Sequence, residues 1–473
     1  MREHTKIHVD GAWIDPQEPD VLAVTNPATG EITGRVTLGG ARDVDRAVAA
    51  AACAFESYSR TSPAQRAELL ERVLAEFDRR AEDLAQAVTL EMGAPVTLAR
   101  TAHVPAGRFQ IADAIATLRD FSFSEFRGGT EVRKEPLGVA GLITPWNFPV
   151  LQIAGKTAAA LAAGCTMVLK PSELAPYSAV VMAEIMDAAG VPAGVFNLVP
   201  GLGSVVGNAL SGHPDVGVIS FTGSLETAAR ITIAAAPTMK RVLTELGGKS
   251  PQILLPDADF GIAVRTAQEW MMAMTGQVCS APTRTLVPRS RLEEFLSVLV
   301  PSLEALKIGD PGSVETQMGP LVSAAQWHKV QNYIQRGLDA GARLVTGGPG
   351  RPAGLSRGHF VRPTVFADVT NDMAIAREEI FGPVMSVIAY DTVAEAVAIA
   401  NDTPYGLAGY VVGGDPDEVR AVASQVRAGY IIVNDAPLDW GAPWGGYKQS
   451  GNGREFGSEG VAAFLETKVL VGG

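Results

Sequence analysis

Cysteine is scarce in this chain: Cys53, Cys165 and Cys279 are the only three among 473 residues. So sparse and odd a set argues against a disulfide framework and points to a reducing compartment. No CxxC pair or Cys/His cluster has metal-ligand spacing, and the six histidines are scattered, so no metal site is expected. Long apolar runs are also missing. The most apolar stretches, such as 150–164, are rich in Ala and Gly and too short to cross a bilayer. The start, Met1-Arg2-Glu3-His4, has no apolar signal core. Basic charge is in deficit, with a formal net charge of −12 and no basic patch, which disfavours nucleic acid and anionic membrane as partners. A cytoplasmic protein is expected. What is present, 47% hydrophobic and 19% charged residues, fits well-packed globular structure, and the length calls for two or three domains.

Residues 42–118 read as helices, with Val44, Val48, Ala52 and Phe55, then Leu69, Leu70, Val73, Leu74 and Phe77 at helical spacing. Residues 121–137 alternate around Gly128-Gly129 and read as a β-hairpin. From 138 the rhythm is strand, helix, strand. Strands are expected at 139–145, 166–169, 195–199, 216–221 and 242–246. Helices are expected at 150–164, 177–189, after Gly203 and up to about 236. Short buried strands alternating with helices indicate βαβ units and a doubly wound parallel sheet, which binds ligands at the carboxyl ends of its strands. The α/β style continues from 251, with a helix at 259–275, a strand at 283–287, a helix at 291–306 and strands near 343–346, 384–390 and 410–413. The apolar tail 463–471 reads as a strand that needs a sheet edge, and with the hairpin it suggests a contact between subunits.

Several short segments could carry chemistry. Cys279 follows the 259–275 helix among small residues, Gly276-Gln277-Val278-Cys279-Ser280-Ala281, so a second molecule could approach its thiol. Read alone, a buried structural cysteine is the commoner fate of such a residue. Glu245 ends a predicted strand before Gly247-Gly248, where a desolvated carboxylate could act as a general base; a salt-bridged structural role also fits. Gly-Gly-Lys-Ser at 247–250 is not a phosphate loop, because the first glycine of that motif would fall on Leu243. Gly201, Gly203 and Gly207 are spaced G-x-G-x-x-x-G, one residue longer than the dinucleotide fingerprint. Phe221-Thr222-Gly223-Ser224 starts a helix, with Ser224 placed to cap it or to meet a phosphate. Lys170-Pro171-Ser172-Glu173 ends a strand with groups suited to ribose hydroxyls or to a solvated ion pair. In Thr144-Pro145-Trp146-Asn147-Phe148-Pro149, the Asn147 amide could donate to a developing oxyanion or merely form a turn.

Taken together, these segments resemble the aldehyde dehydrogenase superfamily in order and approximate spacing. The similarity extends through Glu379-Ile380-Phe381-Gly382-Pro383 and 443–455. It covers nearly the whole chain, from Asn26-Pro27-Ala28-Thr29-Gly30 to 446–451. The resemblance implies a Rossmann-like cofactor domain (1–118 and 138–247), an α/β catalytic domain (248–447) and a small β-hairpin oligomerisation arm (119–137 and 458–473). It implies Cys279 as nucleophile, Asn147 with the Cys279 backbone N–H as oxyanion hole, Glu245 as general base, and Lys156 and Glu455 as groups linked to proton movement. NAD is the implied cofactor, with NADP left open. Its contacts would be Lys170 and Glu173 at the adenosine ribose, Ser224 at the pyrophosphate, Glu379 at the nicotinamide ribose and Phe381 near the nicotinamide. Thr144, Pro145, Trp146, Ser172, Gly203, Phe221, Gly223 and Leu246 complete that set.

The reaction so implied is oxidation of an aldehyde to the acid through a cysteine thiohemiacetal and a thioester. A CoA-acylating relative and a catalytically silent protein of the same fold are the alternatives. Relatives of the first kind lack a carboxylate at the position of Glu245, and Cys279, Glu245 and Asn147 are all present against the second. Phe148, Gln152, Gly155, Val278, Ser280 and 440–444 are expected to line the aldehyde tunnel. Gly155 stands where some relatives carry Arg or Trp for charged substrates, so a bulky, uncharged aliphatic or aromatic aldehyde is expected. A homodimer or homotetramer is expected.

Overall fold

The computed structural model describes residues 2–472. At the centre of an eight-stranded sheet lie five parallel strands in the spatial order Arg241–Leu246, Val216–Gly223, Val139–Ile143, Thr166–Lys170, Phe196–Leu198. The chain builds outward from Val139–Ile143 to Phe196–Leu198. It then crosses back to add Val216–Gly223 and Arg241–Leu246 on the other side. The order therefore reverses between Val139–Ile143 and Val216–Gly223, and the connections that leave the carboxyl ends of these two paired strands in opposite directions open a crevice. The hairpin Ile7–Val9 and Ala12–Ile14 extends one edge. Gly451–Asn452 closes the other, pairing antiparallel with the strand that carries Glu245.

A second sheet of seven strands runs Arg343–Thr346, Thr364–Ala367, Val384–Tyr390, Arg284–Pro288, Pro251–Leu254, Ala408–Val412, Tyr430–Val433, all parallel but the first. The hairpin Ser124–Arg127 and Thr130–Pro136 turns at Gly128-Gly129, and Leu465–Val471 pairs antiparallel with its second strand. A fourth sheet joins Arg2–His4, Ile32–Leu38 and Asp20–Thr25. Among the described residues no helix is long and apolar enough to cross a membrane.

Local sequence explains the elements that hold the site. The helix Pro149–Ala163 begins with Pro149, whose missing N–H costs nothing in a first turn, and stops at Gly164, which takes φ +90°. The expected helical region resolves into Ala41–Tyr58, Pro63–Arg79, Ala81–Met92 and Val104–Asp120. The second of these is capped by Ser62, which accepts from Gln65 N at 3.2 Å.

Two expected helices differ from the reading. The segment 259–275 is an α-helix only over Phe260–Ala267. It then widens into a π turn at Gln268–Met272, with Ala273 N donating to Gln268 O at 2.9 Å. It breaks where Thr275 and Gly276 both adopt positive φ, +56° and +72°. The helix after Gly203 is likewise a π turn over Gly203–Gly207 followed by the short Asn208–Gly212.

Candidate active site

The crevice at the strand-order reversal holds a cavity of about 200 Å³. Ten of the catalytic and cofactor residues expected from sequence line it: Pro145, Trp146, Asn147, Gly223, Ser224, Glu245, Leu246, Cys279, Glu379 and Phe381. Gln152, Thr222, Gly247, Gln326 and Lys329 complete the lining. Thr144, Lys170, Ser172, Glu173, Gly203 and Phe221 do not border it. Lys170 ends the neighbouring strand and pairs with Glu173, Nζ to Oε2 at 3.0 Å. Phe221 is buried in the sheet beneath Gly223. Thr144 is buried at the first strand's end, its N–H donating to Lys170 O at 3.1 Å.

A second cavity of about 40 Å³ adjoins the first through Asn147, Gln152 and Cys279, which border both. Its other walls are Phe148, Leu151, Trp270, Val278, Ser280, Leu438, Trp440, Trp444 and Phe456. No charged side chain is among them. Gly155, expected in this lining, is not there. A Cβ at 155 would meet the Phe456 ring at 3.0 Å, so that ring stands between Gly155 and the cavity. Leu151, one turn earlier on the same helix, faces the cavity instead.

Glycines let the reactive groups converge. A Cβ at Gly247 would overlap the Glu379 carboxylate, and one at Gly248 would lie 2.7 Å from the Cys279 carbonyl oxygen. Gly248 N–H donates to Glu379 Oε1 at 3.2 Å. Gly445 presses on Glu245, where an added Cβ would sit 2.8 Å from Oε1. Asn147 Nδ2 donates to the Gln277 carbonyl oxygen at 3.1 Å, which leaves its other N–H for a ligand. Trp146 and Phe381 meet edge-on, centroids 5.5 Å apart, with Phe381 at φ +60°.

Burial dominates the electrostatics. It pushes the Glu245 carboxyl well above the ordinary range, and the Glu455 carboxylate adds to the rise, while Lys156 and Arg454 pull against it. Lys156 is buried; its ammonium is ion-paired with Glu455 and donates to Ser220 Oγ at 3.0 Å. Burial also raises Glu379, against the pull of Lys329. The Cys279 thiol is pushed up to about 12 by burial, then by the charges of Glu379 and Glu245.

Gln326 and Lys329 were not found by sequence reading. Both sit early in the helix Ala324–Asp339, capped by Ser323, and nothing in the local pattern separates them from a solvated face. Gln326 Nε2 donates to the carbonyl oxygens of Ile380 and Phe381, at 3.1 and 2.7 Å, and so fixes the segment that carries Glu379.

A doubly wound sheet with a buried thiol, an amide donor and a desolvated carboxylate around one crevice defines a thiol-dependent oxidoreductase site. The chain belongs to the aldehyde dehydrogenase family, whose profile matches residues 13–470. It is 50% identical to a 3-succinoylsemialdehyde-pyridine dehydrogenase of Pseudomonas sp, over 100% of this chain and 99% of that protein. It is 51% identical to a cysteine-to-alanine mutant of aldehyde dehydrogenase C from Pseudomonas syringae, crystallised with NAD+ and octanal. The TM-score is 0.98 over 99% of this chain and 96% of that one. An aldehyde dehydrogenase from Mycobacterium tuberculosis, complexed with NAD+, matches at 40% identity and TM-score 0.96, over 99% of this chain and 98% of that one.

A thiol raised this far ionises only as pH climbs. In a Cys53→Ser background, the rate of Cys279 alkylation by iodoacetamide is therefore expected to rise continuously from pH 7 to about 10 without a plateau. Glu379→Gln, by removing the larger of the two repelling charges, is expected to speed alkylation at a fixed pH. A plateau below pH 8 in the unliganded protein would contradict this electrostatic account.

Proposed function

We propose that the protein oxidises a bulky, uncharged aliphatic or aromatic aldehyde to its carboxylic acid with NAD, through a thiohemiacetal and a thioester on Cys279. The observation that carries this reading is that Cys279 and Asn147 border two cavities at once: one at the strand-order reversal, lined by Glu245, Lys329 and Glu379 among others, and an adjoining one with no charged wall. A cofactor in the first and an aldehyde in the second would meet at the sulfur.

The crevice fits a dinucleotide by its donor set. Ser224 caps the helix Leu225–Ala235, whose N-terminus suits a pyrophosphate, and the Glu379 carboxylate suits a ribose. Lys170 and Glu173, farther along the strand ends, suit the second ribose, and a carboxylate there favours a 2′-hydroxyl over a 2′-phosphate. The NAD+ complexes of the related enzymes agree with that choice.

In this mechanism the Cys279 sulfur adds to the aldehyde carbon, and the carbonyl electron pair moves to oxygen. The free N–H of Asn147 and the backbone N–H of Cys279 hold that oxyanion. A nicotinamide held beside Glu379 and Phe381 would supply the hydride acceptor, and the adduct that gives up its hydride would remain on Cys279 as a thioester. Glu245 then takes a proton from water as the water oxygen attacks the thioester carbon, and the Cys279 sulfur leaves with its bonding pair. The Glu455 carboxylate, held by the Lys156 ammonium, is the acceptor for the proton passed on from Glu245. Because Glu245 acts deprotonated while burial raises its carboxyl, deacylation speeds up as pH rises through its elevated range.

The aromatic and aliphatic walls beside Cys279 support an uncharged substrate, since a carboxylate there would be desolvated without a partner. Octanal in one relative's structure and the pyridine-bearing semialdehyde in another's name belong to that class. Residues 1–118 and 138–247 serve as the cofactor domain and 248–447 as the catalytic domain. The three-stranded arm built from 119–137 and 458–473, with Phe126 71% and Val471 82% exposed, supports pairing with a second subunit in the cytoplasmic protein.

Three outcomes test this reading. Cys279→Ala is expected to abolish acid formation, and Asn147→Ala to lower kcat by about 100- to 1,000-fold, the usual effect of one lost oxyanion donor. Acid formation that needs added CoA would favour the acylating alternative. In a substrate panel, octanal and benzaldehyde are expected to exceed succinic semialdehyde in kcat/KM; the reverse order would refute the substrate class. Light scattering is expected to report a dimer or tetramer that dissociates when Val469 and Val471 are both changed to Asp, and a monomeric wild type would refute the arm's role.

A further inference from the structure

His103 is wholly buried and takes no part in the chemistry above. It ends a π turn, Ala99–His103, just ahead of the helix Val104–Asp120. Its ring stacks on Phe148, centroids 4.4 Å apart and planes 16° from parallel. Its Nε2 lies 2.9 Å from Met274 Sδ. Nδ1 has no hydrogen-bond partner, although it is buried. Burial pushes the imidazole down to about 3, so the ring is neutral at physiological pH. A buried polar ring with one nitrogen unpaired costs stability, and such a residue calls for an explanation.

The two contacts lead to the two halves of the oxyanion hole. Phe148 directly follows Asn147. Met274 opens the loop that ends in Cys279, and its carbonyl oxygen accepts from Gln277 N and from Gln277 Nε2, both at 3.1 Å. The circuit closes through Asn147 Nδ2 and the Gln277 carbonyl oxygen. One turn beyond His103, Gly107 brings its helix hard against Val150, where an added Cβ would lie 2.7 Å from Cγ1. The platform beneath Phe148 therefore has little room to move.

We propose that His103 is a positioning residue that clamps the Asn147–Phe148 segment to the Met274–Cys279 loop and so fixes the distance between the two oxyanion donors. The ring acts through its shape and its contact with sulfur. This inference rests on the assignment of Asn147 made above.

The experiment is a double-mutant cycle on the full-length protein, read by hydrolysis of p-nitrophenyl acetate, which requires the thiol and the oxyanion hole but no cofactor. His103→Leu removes both contacts. It is expected to lower kcat about 10- to 100-fold, the scale of a misplacement of about 1 Å. KM is expected to stay within about threefold, since a misplaced oxyanion donor costs transition-state stabilisation and leaves ground-state binding intact. In an Asn147→Ala background the same change is expected to cost less than about twofold, because coupled residues are not additive. His103→Phe keeps the stack on Phe148 and is expected to recover much of the lost kcat. Additive losses, or a His103→Leu protein within twofold of wild type, would overturn the proposal. An Asn147→Ala protein of full activity would overturn the oxyanion assignment and this inference with it, whereas a slow one with additive losses overturns this inference alone. Should His103→Leu fail to fold, Met274→Leu removes the sulfur from the other side of the clamp. A coupled loss there supports the proposal, and an additive or absent loss overturns it.

Discussion

One hydrogen bond, from Asn147 Nδ2 to the carbonyl oxygen of Gln277, joins two parts of the molecule that are otherwise built separately. Asn147 stands at the carboxyl end of the first strand of the cofactor-type sheet. Gln277 lies in the loop that feeds the second sheet. Each sheet is a complete α/β layer with its own buried strands, and neither contains a whole active site. The reactive thiol comes from the second, and the amide donor and the carboxylate Glu245 come from the first. Where the two meet, the backbone is exceptional: positive φ at Thr275, Gly276 and Phe381, and glycines at 247, 248 and 445 where a Cβ would collide. Backbone strain concentrated at one seam is what a site assembled from two rigid layers requires.

The same seam sets the electrostatics. Glu245 and Glu379 are buried beside Cys279, and their charges raise the thiol's affinity for protons; burial raises both carboxyls, and Glu455 adds to the rise at Glu245. Lys156 and Arg454 pull against the rise at Glu245, and Lys329 and Lys249 against that at Glu379. In the unliganded protein the thiol is thus held in its unreactive form, and the base is poised above the usual carboxylate range. The positive charge of an oxidised nicotinamide would act in the opposite sense on both groups.

Much of the fold was legible from sequence because its central strands are short runs of buried apolar residues bounded by Gly and Pro, with helices between them. Val139–Ile143 and the helix stop at Gly164 are examples. The N-terminal strands were not read. Asp20–Thr25 is mostly exposed although four of its six residues are apolar, so apolar and polar positions do not alternate along it and the period-2 signal is lost. The π turns at Ala99–His103 and Gln268–Met272 were also missed, since no composition distinguishes an i→i−5 turn from an ordinary helix. At the site, Cys279, Glu245 and Asn147 were individually ambiguous and became readable only through their order along the chain. Gly155 was misplaced because Phe456, 301 residues later in sequence, returns to cover it, and such long-range packing is invisible locally.

If one sulfur carries the substrate through a covalent stage that Glu245 resolves, that stage accumulates when Glu245 is changed. Intact-protein and peptide mass spectrometry of Glu245→Gln, mixed with octanal and NAD and quenched in acid, addresses it directly. An added octanoyl mass on the peptide that contains Cys279, absent from Cys279→Ala and short-lived in the wild type, is the predicted result. No adduct in Glu245→Gln, or one on a peptide containing Cys53 or Cys165, would contradict the account.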